Sequence, residues 1–228
     1  MKLNEKLIEG IFISESKNRF LCKVLIDSET YECYIPSSSK LGNYIKLRGK
    51  RVLLTENKGL NTRTKYSIFA VKHYSKYIIL NLNIVNELFE QCLNESYIND
   101  FNESSCLFRE KVISGYKADL YYEATRKTII ENKSIISVAK EAFFPTVYSQ
   151  RAIDQLNKLY EMLHSGYKVV YNFISLGPFV ENIIINYKQI EYYEAFLKCI
   201  DSKMEVNGYY YSYKISGEIE WGKINVNI

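Results

Sequence analysis

The first 80 residues consist of short β-rich runs divided by turn residues, and this pattern constrains the fold more than any other feature. Asp27-Ser28 separates two runs by the two residues that a tight hairpin needs. No segment in this part has a helical period. Five strands in this length predict a small closed barrel of the OB-fold type, and the alternative is a generic β-barrel without a ligand. The predicted strands are Ile8–Ser14, Asn18–Ile26, Glu29–Ile35, Arg51–Thr55 and Tyr66–His73.

Charge divides the chain at the same place. Residues 1–80 carry 15 Lys and Arg against 7 Asp and Glu, a net charge of +8, whereas residues 81–228 carry 15 and 19, a net charge of −4. This asymmetry predicts a basic barrel domain at 1–80 that meets a polyanion such as nucleic acid, followed by a second domain at 81–228. The alternative is that the barrel exposes lysines only for solubility. The candidates for phosphate contacts and base stacking are Lys23, Lys40, Tyr44, Lys46, Arg48, Lys50 and Arg51.

Beyond residue 80, segments with a helical period alternate with β-rich runs. Apolar residues at three- and four-residue spacing predict helices at about 83–94, 148–164 and 190–204. The resulting order is helix, three strands, helix, strand, helix, strand. It predicts an α/β domain with a mixed sheet, so the chain as a whole is expected to be α/β with two domains. The predicted strands are Leu107–Ile113, Tyr116–Tyr122, Lys127–Ile136, Tyr167–Ile174 and Tyr209–Ile215.

The cysteines and the hydropathy favour a cytoplasmic protein that has no membrane partner. No stretch reaches the roughly 18 consecutive apolar residues of a membrane-spanning helix, and the first residues lack a signal-peptide core. Five cysteines without a C-x-x-C pair are expected to be reduced thiols. The two histidines, His73 and His164, have no cysteine partners at zinc-ligand spacing.

The residue pattern that predicts chemistry is Asp119 followed by Glu131-Asn132-Lys133. If the hairpin between them is centred on Thr125, position 119 pairs with position 131. Side chains alternate along a strand, so Glu131 and Lys133 share the face on which Asp119 lies. A slip of one residue would break this cluster. The alternative is an ordinary Asp, Glu and Lys on a strand, joined as an ion pair.

Such a cluster has the composition of a divalent metal site. The carboxylates of Asp119 and Glu131, with the main-chain carbonyl of Asn132, form a hard-oxygen set suited to Mg²⁺ or Mn²⁺. Bound metal acidifies a water molecule and neutralises charge on a phosphodiester, while Lys133 steadies developing negative charge. Apolar residues flank positions 131 and 133, and a charge in a core strand needs a partner or a metal. On the helix that follows, Arg151, Gln155 and Lys158 form one polar face that suits phosphate or simply solvent.

Three segments resemble the sugar fermentation stimulation protein A family. Arg19-Phe20-Leu21-Cys22-Lys23-Val24 resembles its R-F-x-x-x-V opening, and Glu131-Asn132-Lys133-Ser134 resembles its E-V-K-S element. Phe144-Pro145, followed by Ser149-Gln150-Arg151, is similar to its F-P-D-A-x-T-x-R signature. The resemblance implies an OB-fold followed by a PD-(D/E)xK nuclease fold, with DNA as the ligand. It assigns Asp119, Glu131 and Lys133 to the nuclease motif and Arg151 to the supporting helix, and it suggests a further acid, for which the candidates are Glu90 and Glu110.

The chain departs from that family pattern at three places. The barrel motif P-N-T-G-S-M is replaced by Pro36-Ser37-Ser38-Ser39-Lys40-Leu41, which lacks the glycine that permits a close backbone approach. Thr146 stands where the family has Asp, and Gln155 stands where it has His one turn after the helix arginine. These changes identify the chain as a diverged member whose helix contacts differ from those of its relatives.

Three functions fit the sequence. The first is a Mg²⁺- or Mn²⁺-dependent nuclease that acts on DNA or RNA and binds the nucleic-acid backbone through its barrel. Such a nuclease could act as a monomer or as a homodimer. The second is a DNA-binding or regulatory protein, affecting genes of sugar metabolism, whose nuclease fold no longer cuts. The third is a carbohydrate-binding barrel, because OB-folds also bind oligosaccharides. Cleavage requires metal and the carboxylates, nucleic-acid binding requires only basic residues and weakens with salt, and sugar binding is insensitive to salt.

Overall fold

The computed structural model describes most of the chain, and the fold is reported for those residues. The described ranges are 6–18, 20–36, 45–59, 62–94, 106–123 and 126–228. No helix in these ranges is both long and apolar enough to cross a membrane. All five cysteines are free thiols, and only Cys106 is exposed.

The N-terminal part is a closed five-stranded barrel. Its strands are β1 (Ile8–Glu15), β2 (Leu21–Ile26), β3 (Glu29–Tyr34), β4 (Arg51–Glu56) and β5 (Tyr66–His73). They pair in the order β3-β2-β1-β4-β5, and a parallel pairing of β3 with β5 closes the ring. Asp27 and Ser28 turn the β2–β3 hairpin with positive φ angles of 45° and 71°, which match the twist of the flanking strands. The predicted barrel and its hairpin are therefore confirmed.

The C-terminal part is built on a mixed six-stranded sheet. Strand β6 (Lys76–Ile79) precedes it and pairs with β5 of the barrel. The elements of the C-terminal part are α1 (Val85–Asn94), β7 (Cys106–Arg109), β8 (Val112–Ile113), β9 (Tyr116–Lys117), β10 (Leu120–Glu123), β11 (Thr128–Ile135), β12 (Glu141–Phe144), α2 (Gln150–His164), β13 (Lys168–Ser175), β14 (Asn182–Ile185), α3 (Ile190–Asp201), β15 (Glu205–Tyr213), β16 (Ile219–Lys223) and β17 (Asn225–Asn227). The sheet order is β16-β15-β13-β11-β10-β7. Strands β11, β13 and β15 run parallel at its centre, and the outer pairings are antiparallel. The α/β prediction is confirmed.

The structure corrects the predicted elements and adds an edge strand, β16, that the sequence did not predict. Strands β12, β14 and β17 form a separate three-stranded parallel sheet that the sequence did not reveal, because each has only three or four residues. The predicted strands Leu107–Ile113 and Tyr116–Tyr122 are each interrupted. Glu110 adopts a positive φ of 51°, and Ala118 turns its N–H to the carbonyl of Lys111 at 3.0 Å. This interruption lies directly before Asp119.

The sheet has a helical layer on one face and the barrel on the other. Helices α2 and α3 cover the first face, where Leu156 and Phe196 are buried among the core residues. Helix α1 and barrel strands cover the second face, where Phe69 and Ile79 share a core with Ile130. The Ile79 N–H also donates to the carbonyl of Leu176 at 2.7 Å. The barrel and the α/β part therefore share one of the hydrophobic clusters of the molecule.

Candidate metal centre

The β10–β11 hairpin has the pairing that the sequence predicts. Leu120 lies opposite Ile130 and Tyr122 opposite Thr128, so the same register carries Asp119 opposite Glu131. Directly before β10, Oδ2 of Asp119 accepts a 2.9 Å hydrogen bond from the N–H of Asn132. The pairing thus brings the two carboxylates together where β10 begins beside β11.

Glu131 is almost fully buried, with 2% of its surface exposed, and three side chains donate to it. The Tyr116 hydroxyl donates to Oε2 at 2.5 Å. The Lys133 ammonium donates to Oε1 at 2.6 Å, and the Gln155 amide donates to the same oxygen. A buried carboxylate needs such partners, because an unpaired charge away from water is costly.

Lys133 links the strand to helix α2. Besides its contact with Glu131, its ammonium donates to the side-chain oxygen of Gln155 at 2.5 Å. The same ammonium lies 5.5 Å from the centre of the Tyr171 ring, on the neighbouring strand. Only 16% of the Lys133 side chain is exposed. Its charge is therefore held next to the carboxylates rather than in solvent.

Burial and like charge perturb the acids of this cluster. Burial raises the pKa of Asp119 from 3.8 to about 6, and the negative charge of Glu131 adds to the effect. The N–H of Asn132 and the charge of Lys133 oppose this shift in the pKa. Burial, followed by the Glu131 charge, also raises the pKa of Tyr116 well above its usual value. Tyr116 is therefore a neutral donor at physiological pH.

The donor set fits a hard divalent cation when main-chain oxygen is included. In the described ranges, no group of three His, Cys, Asp or Glu side chains is placed to hold a metal, so the carboxylates of Asp119 and Glu131 need a third ligand. The N–H and C=O of a strand residue point toward the same neighbour. The Asn132 N–H points to Asp119, so the Asn132 carbonyl also points to that side. Three oxygen ligands of this kind suit Mg²⁺ or Mn²⁺, which complete their shells with water.

A ladder of asparagines, of which Asn132 and Asn172 are buried, lies on the opposite face of the same strands. Asn132, Asn172 and Asn207 are aligned in register across β11, β13 and β15. The Asn172 amide donates to Asn132 at 3.0 Å, and the Asn207 amide donates to Asn172 at 3.2 Å. Asn132 in turn donates to the Asn86 side chain of α1 at 2.9 Å. The ladder fixes Asn132, which lies between Glu131 and Lys133. The sequence pattern did not predict a role for Asn86, Asn172 or Asn207.

Helix α2 contributes one of its three predicted polar residues to the cluster. Ser149 caps the helix by accepting from the Ala152 N–H at 3.3 Å, and the buried face begins with Ile153. This orientation directs Gln155 to Glu131 and Lys133. Arg151 is exposed one turn earlier. Lys158 pairs with Glu161 on the surface at 2.5 Å.

The two acids proposed from the resemblance lie in surface ion pairs. The Glu90 carboxylate pairs with Arg109. The Glu110 carboxylate is 67% exposed and pairs with Lys117 at 2.8 Å. Neither is among the groups that act on the pKa of Asp119. The structure therefore does not bring Glu90 or Glu110 into the cluster.

The predicted barrel residues lie at the surface, and two of them belong to one depression. Lys23, Lys46, Arg48 and Arg51 are exposed, while Lys40 and Tyr44 lie outside the described residues. The Lys50 ammonium lies 2.8 Å from Nδ1 of His73. We call the depression the basic patch, and it is lined by Lys50, Arg51, Lys72, His73 and Tyr74. The last three were not predicted, because they belong to the end of a strand and its turn.

Family comparisons agree with this architecture. Residues 15–80 match the SfsA N-terminal OB domain, and residues 83–217 match the sugar fermentation stimulation protein RE domain. A sugar fermentation stimulation protein homolog from Desulfitobacterium hafniense is 26% identical over 168 residues, covering 73% of this chain and 72% of that protein. A homolog from Pelagibacter ubique is 25% identical over 228 residues, covering 96% of this chain and 94% of that protein.

A solved structure has the same fold over its whole length. It is SfsA from Pyrococcus furiosus in complex with Ca²⁺, which covers 100% of both chains with a TM-score of 0.87 and 22% sequence identity. At this identity the likeness shows the fold, whereas the family follows from the matched domains. The RE domain match alone spans more than half of the sequence, and the chain therefore belongs to the sugar fermentation stimulation protein (SfsA) family.

Proposed function

We propose that this protein is a cytoplasmic metal-dependent nuclease that hydrolyses phosphodiester bonds in nucleic acid, DNA before RNA. The contact between the half-buried carboxylate of Asp119 and the buried carboxylate of Glu131, with Lys133 beside them, carries the proposal. Burial and the charge of Glu131 raise the pKa of Asp119 to about 6, so the two negative charges repel each other at neutral pH. A perturbed acid of this kind is typical of a functional site, and a divalent cation would remove the repulsion.

The coordination chemistry supports this reading. Asp119, Glu131 and the Asn132 carbonyl would hold Mg²⁺ or Mn²⁺, and the similarly folded Pyrococcus furiosus protein was obtained with Ca²⁺. A carboxylate oxygen has about two acceptor positions, so Oε2 of Glu131 can bind a cation while it accepts the Tyr116 hydroxyl. When bound, the metal supplies a water of lowered pKa and charge neutralisation at the phosphate.

The protein's own residues then have separate roles. Lys133 lies close enough to Glu131 to stabilise negative charge that develops beside the carboxylates. Tyr116 and Gln155 hold the Glu131 carboxylate in one orientation. The amide of Gln155 cannot exchange a proton at neutral pH, so it positions Glu131 and Lys133 rather than acting as acid or base. The asparagine ladder fixes Asn132 from the other face of the sheet.

The basic patch is the part of the barrel that we propose as a contact for the nucleic-acid backbone. Its His73 ring packs against Phe179 with centroids 5.0 Å apart, and Phe179 lies in the segment that follows β13. Strands β11 and β13 are parallel, so the carboxyl end of β11 lies at the same edge of the sheet. Lys50, Arg51 and Lys72 would contact phosphates there and contribute the salt-dependent part of binding.

The test is a cleavage assay with labelled single-stranded DNA, duplex DNA and RNA, in Mn²⁺, Mg²⁺ or chelator. We expect cutting only with metal, and a loss of about 100-fold or more in Asp119→Ala and Lys133→Ala. Glu110→Gln is the matched control, because it removes a nearby acid that lies in a surface pair. Cleavage that persists in Asp119→Ala and Lys133→Ala, or that needs no metal, would contradict the proposal.

A second candidate function is nucleic-acid binding without cleavage, in a regulatory role. One observation favours it: Tyr116, Lys133 and Gln155 already satisfy the buried Glu131 carboxylate without a cation. This function predicts that the protein shifts DNA in chelator, that binding falls steeply with salt, and that Asp119→Ala binds as the wild type does. Absence of cutting together with those three results would select it.

A further inference from the structure

A large cleft separates the barrel from helix α1, on the other side of the sheet from the carboxylates. It has a volume of about 930 Å³, at the upper end of the range of small-molecule sites. One wall comes from the start of β2, the end of β3 and the loop between β4 and β5. Helix α1 forms the other wall through residues such as Glu87 and Gln91. We call it the barrel–helix cleft.

Its position coincides with the surface that OB-folds use for ligands. In that fold, strands 2 and 3 and the loops that join strands 1 to 2 and 4 to 5 bind oligonucleotides and oligosaccharides. Here Asn18 lies in the first of those loops and Arg63 in the second, while Tyr34 ends the third strand. The Asp119, Glu131 and Lys133 side chains do not line this cleft.

Two aromatic rings provide a stacking surface in the cleft. Phe20 and Tyr34 lie at 24° to each other with ring centroids 6.4 Å apart, and both are partly exposed. A flat pair of this kind suits the face of a nucleobase, which stacks on aromatic side chains regardless of its identity. The described residues of the basic patch include no such stacked pair, because Tyr74 is 84% exposed and packs edge-on against His73.

Side-chain amides beside these rings are fixed as hydrogen-bond donors. The oxygen of Asn18 accepts from the Phe20 N–H at 3.0 Å, and the oxygen of Asn81 accepts from the Asn83 N–H at 3.1 Å. Each bond orients the side chain and leaves its NH₂ group free among the described residues. An NH₂ group held in this way matches the carbonyl oxygens on the Watson–Crick edges of bases, and pairing occupies these edges in a duplex.

Charged side chains of both signs line the cleft. Lys58 and Arg63 are exposed at the loop side and suit phosphates. Glu56 and Glu87 also line the cleft, and their carboxylates suit the exocyclic amino groups of bases rather than phosphate. The combination of stacking surface, fixed amides and a few rim cations fits exposed bases better than a duplex, whose bases face inward.

We infer that the barrel–helix cleft binds the bases of a single-stranded nucleic-acid segment. This inference rests on the proposed function, because it takes the polymer to be nucleic acid, and it adds the substrate class. The basic patch then contacts the backbone of either form, whereas the cleft selects unpaired bases.

The test measures binding in chelator, so that cutting does not intervene, by fluorescence anisotropy of labelled dT₁₂ and of a 12-base-pair duplex. The variants are Phe20→Ala and Tyr34→Ala, with Tyr34→Phe as the control that keeps the ring. Thermal melting by circular dichroism establishes that each variant is folded. A variant that does not fold is replaced by Asn81→Ser, which removes the side-chain NH₂ group that we propose as a donor to the bases.

We expect Phe20→Ala and Tyr34→Ala to bind dT₁₂ roughly 10- to 100-fold more weakly, the usual effect of losing a stacking residue. Duplex binding and the salt dependence should stay at the wild-type values, and Tyr34→Phe should bind dT₁₂ as the wild type does. Wild-type affinity for dT₁₂ in both alanine variants would overturn the inference. An equal loss for the duplex, or salt-insensitive binding of maltoheptaose that depends on Tyr34 without competition from dT₁₂, would overturn it as well.

Failure of this inference differs from failure of the proposed function. If metal-dependent cutting depends on Asp119 while the cleft variants bind dT₁₂ normally, the nuclease stands and the cleft assignment is wrong. If dT₁₂ binding depends on Tyr34 but no nucleic acid is cut in Mn²⁺ or Mg²⁺, the cleft assignment stands and the nuclease is wrong.

Discussion

Replacing Asp119 by asparagine should stabilise the metal-free protein, and the gain should depend on pH. Burial and the Glu131 charge raise the pKa of Asp119 from 3.8 to about 6. Above pH 6, Asp119 is ionised in the folded and in the unfolded protein. Its pKa is about two units higher in the folded protein, and each unit corresponds to about 1.36 kcal/mol, so the ionised group destabilises the folded state by about 3 kcal/mol. In Asp119→Asn the amide oxygen still accepts from the Asn132 N–H, and the charge repulsion is gone.

The sign of the pH dependence follows from the raised pKa. Between pH 4 and 6 the folded state binds more protons than the unfolded state, so wild-type stability falls as the pH rises through this window. Asp119→Asn has no such proton to lose. Its advantage should therefore be constant at about 3 kcal/mol above pH 7 and should shrink to roughly half of that at pH 5.

Urea denaturation in chelator, at pH 5 and pH 8, measures both quantities. Trp221 is the only tryptophan and packs against Tyr209, so its fluorescence reports unfolding of the sheet. Glu110→Gln is the control, because a change in an exposed ion pair should alter the free energy of unfolding by less than about 1 kcal/mol. Saturating Mn²⁺ should stabilise the wild type and not Asp119→Asn. An Asp119→Asn variant that is no more stable than the wild type at pH 8, or a difference independent of pH, would refute the reasoning.

Three further changes test separate parts of the molecule. Tyr116→Phe removes the hydroxyl that donates to the buried Glu131 and should lower the free energy of unfolding by about 2 kcal/mol, measured in urea against the surface change Tyr187→Phe. Asn172→Ala leaves Asn132 without a donor and Asn207 without an acceptor, so the same assay should show a loss of roughly 2 to 4 kcal/mol. Arg51→Ala should weaken DNA binding for all sequences and lower the slope of log affinity against log salt by about 1, as fluorescence anisotropy at several salt concentrations will show. Unchanged stability in the first two, or an unchanged slope in the third, would contradict these expectations.

Local patterns were sufficient to predict the hairpin and the acids it brings together. A two-strand hairpin has one centre, and the choice of that centre fixes the partner of every residue along both strands. That is why Asp119 and Glu131 were placed opposite each other from the sequence, and the observed register agrees. The barrel was equally accessible, because its strands are neighbours in sequence and are separated by recognisable turns.

Contacts between distant strands could not be predicted in this way. Asn172 interrupts an apolar strand, and its role is visible only when β11, β13 and β15 are aligned in parallel. Their registers depend on the packing of α2 and α3, which no local pattern specifies. The strand pattern around Tyr116 likewise gives no sign that its hydroxyl donates to Glu131. The barrel–helix cleft forms between segments that are about 70 residues apart, such as Phe20 and Gln91.

The interrupted strand before Asp119 explains why a backbone carbonyl is available at this place. Had β10 continued, Ala118 would pair with Asn132 in the observed register, and the two residues would satisfy each other's N–H and C=O groups. Instead the Ala118 N–H turns to Lys111, and the Asn132 N–H is received by the Asp119 carboxylate. The Asn132 carbonyl on the same side is thereby left to other partners. Ending the pairing at Leu120 thus turns a main-chain oxygen toward the side of Asp119, and this oxygen completes the ligand set that we propose for a hard divalent cation.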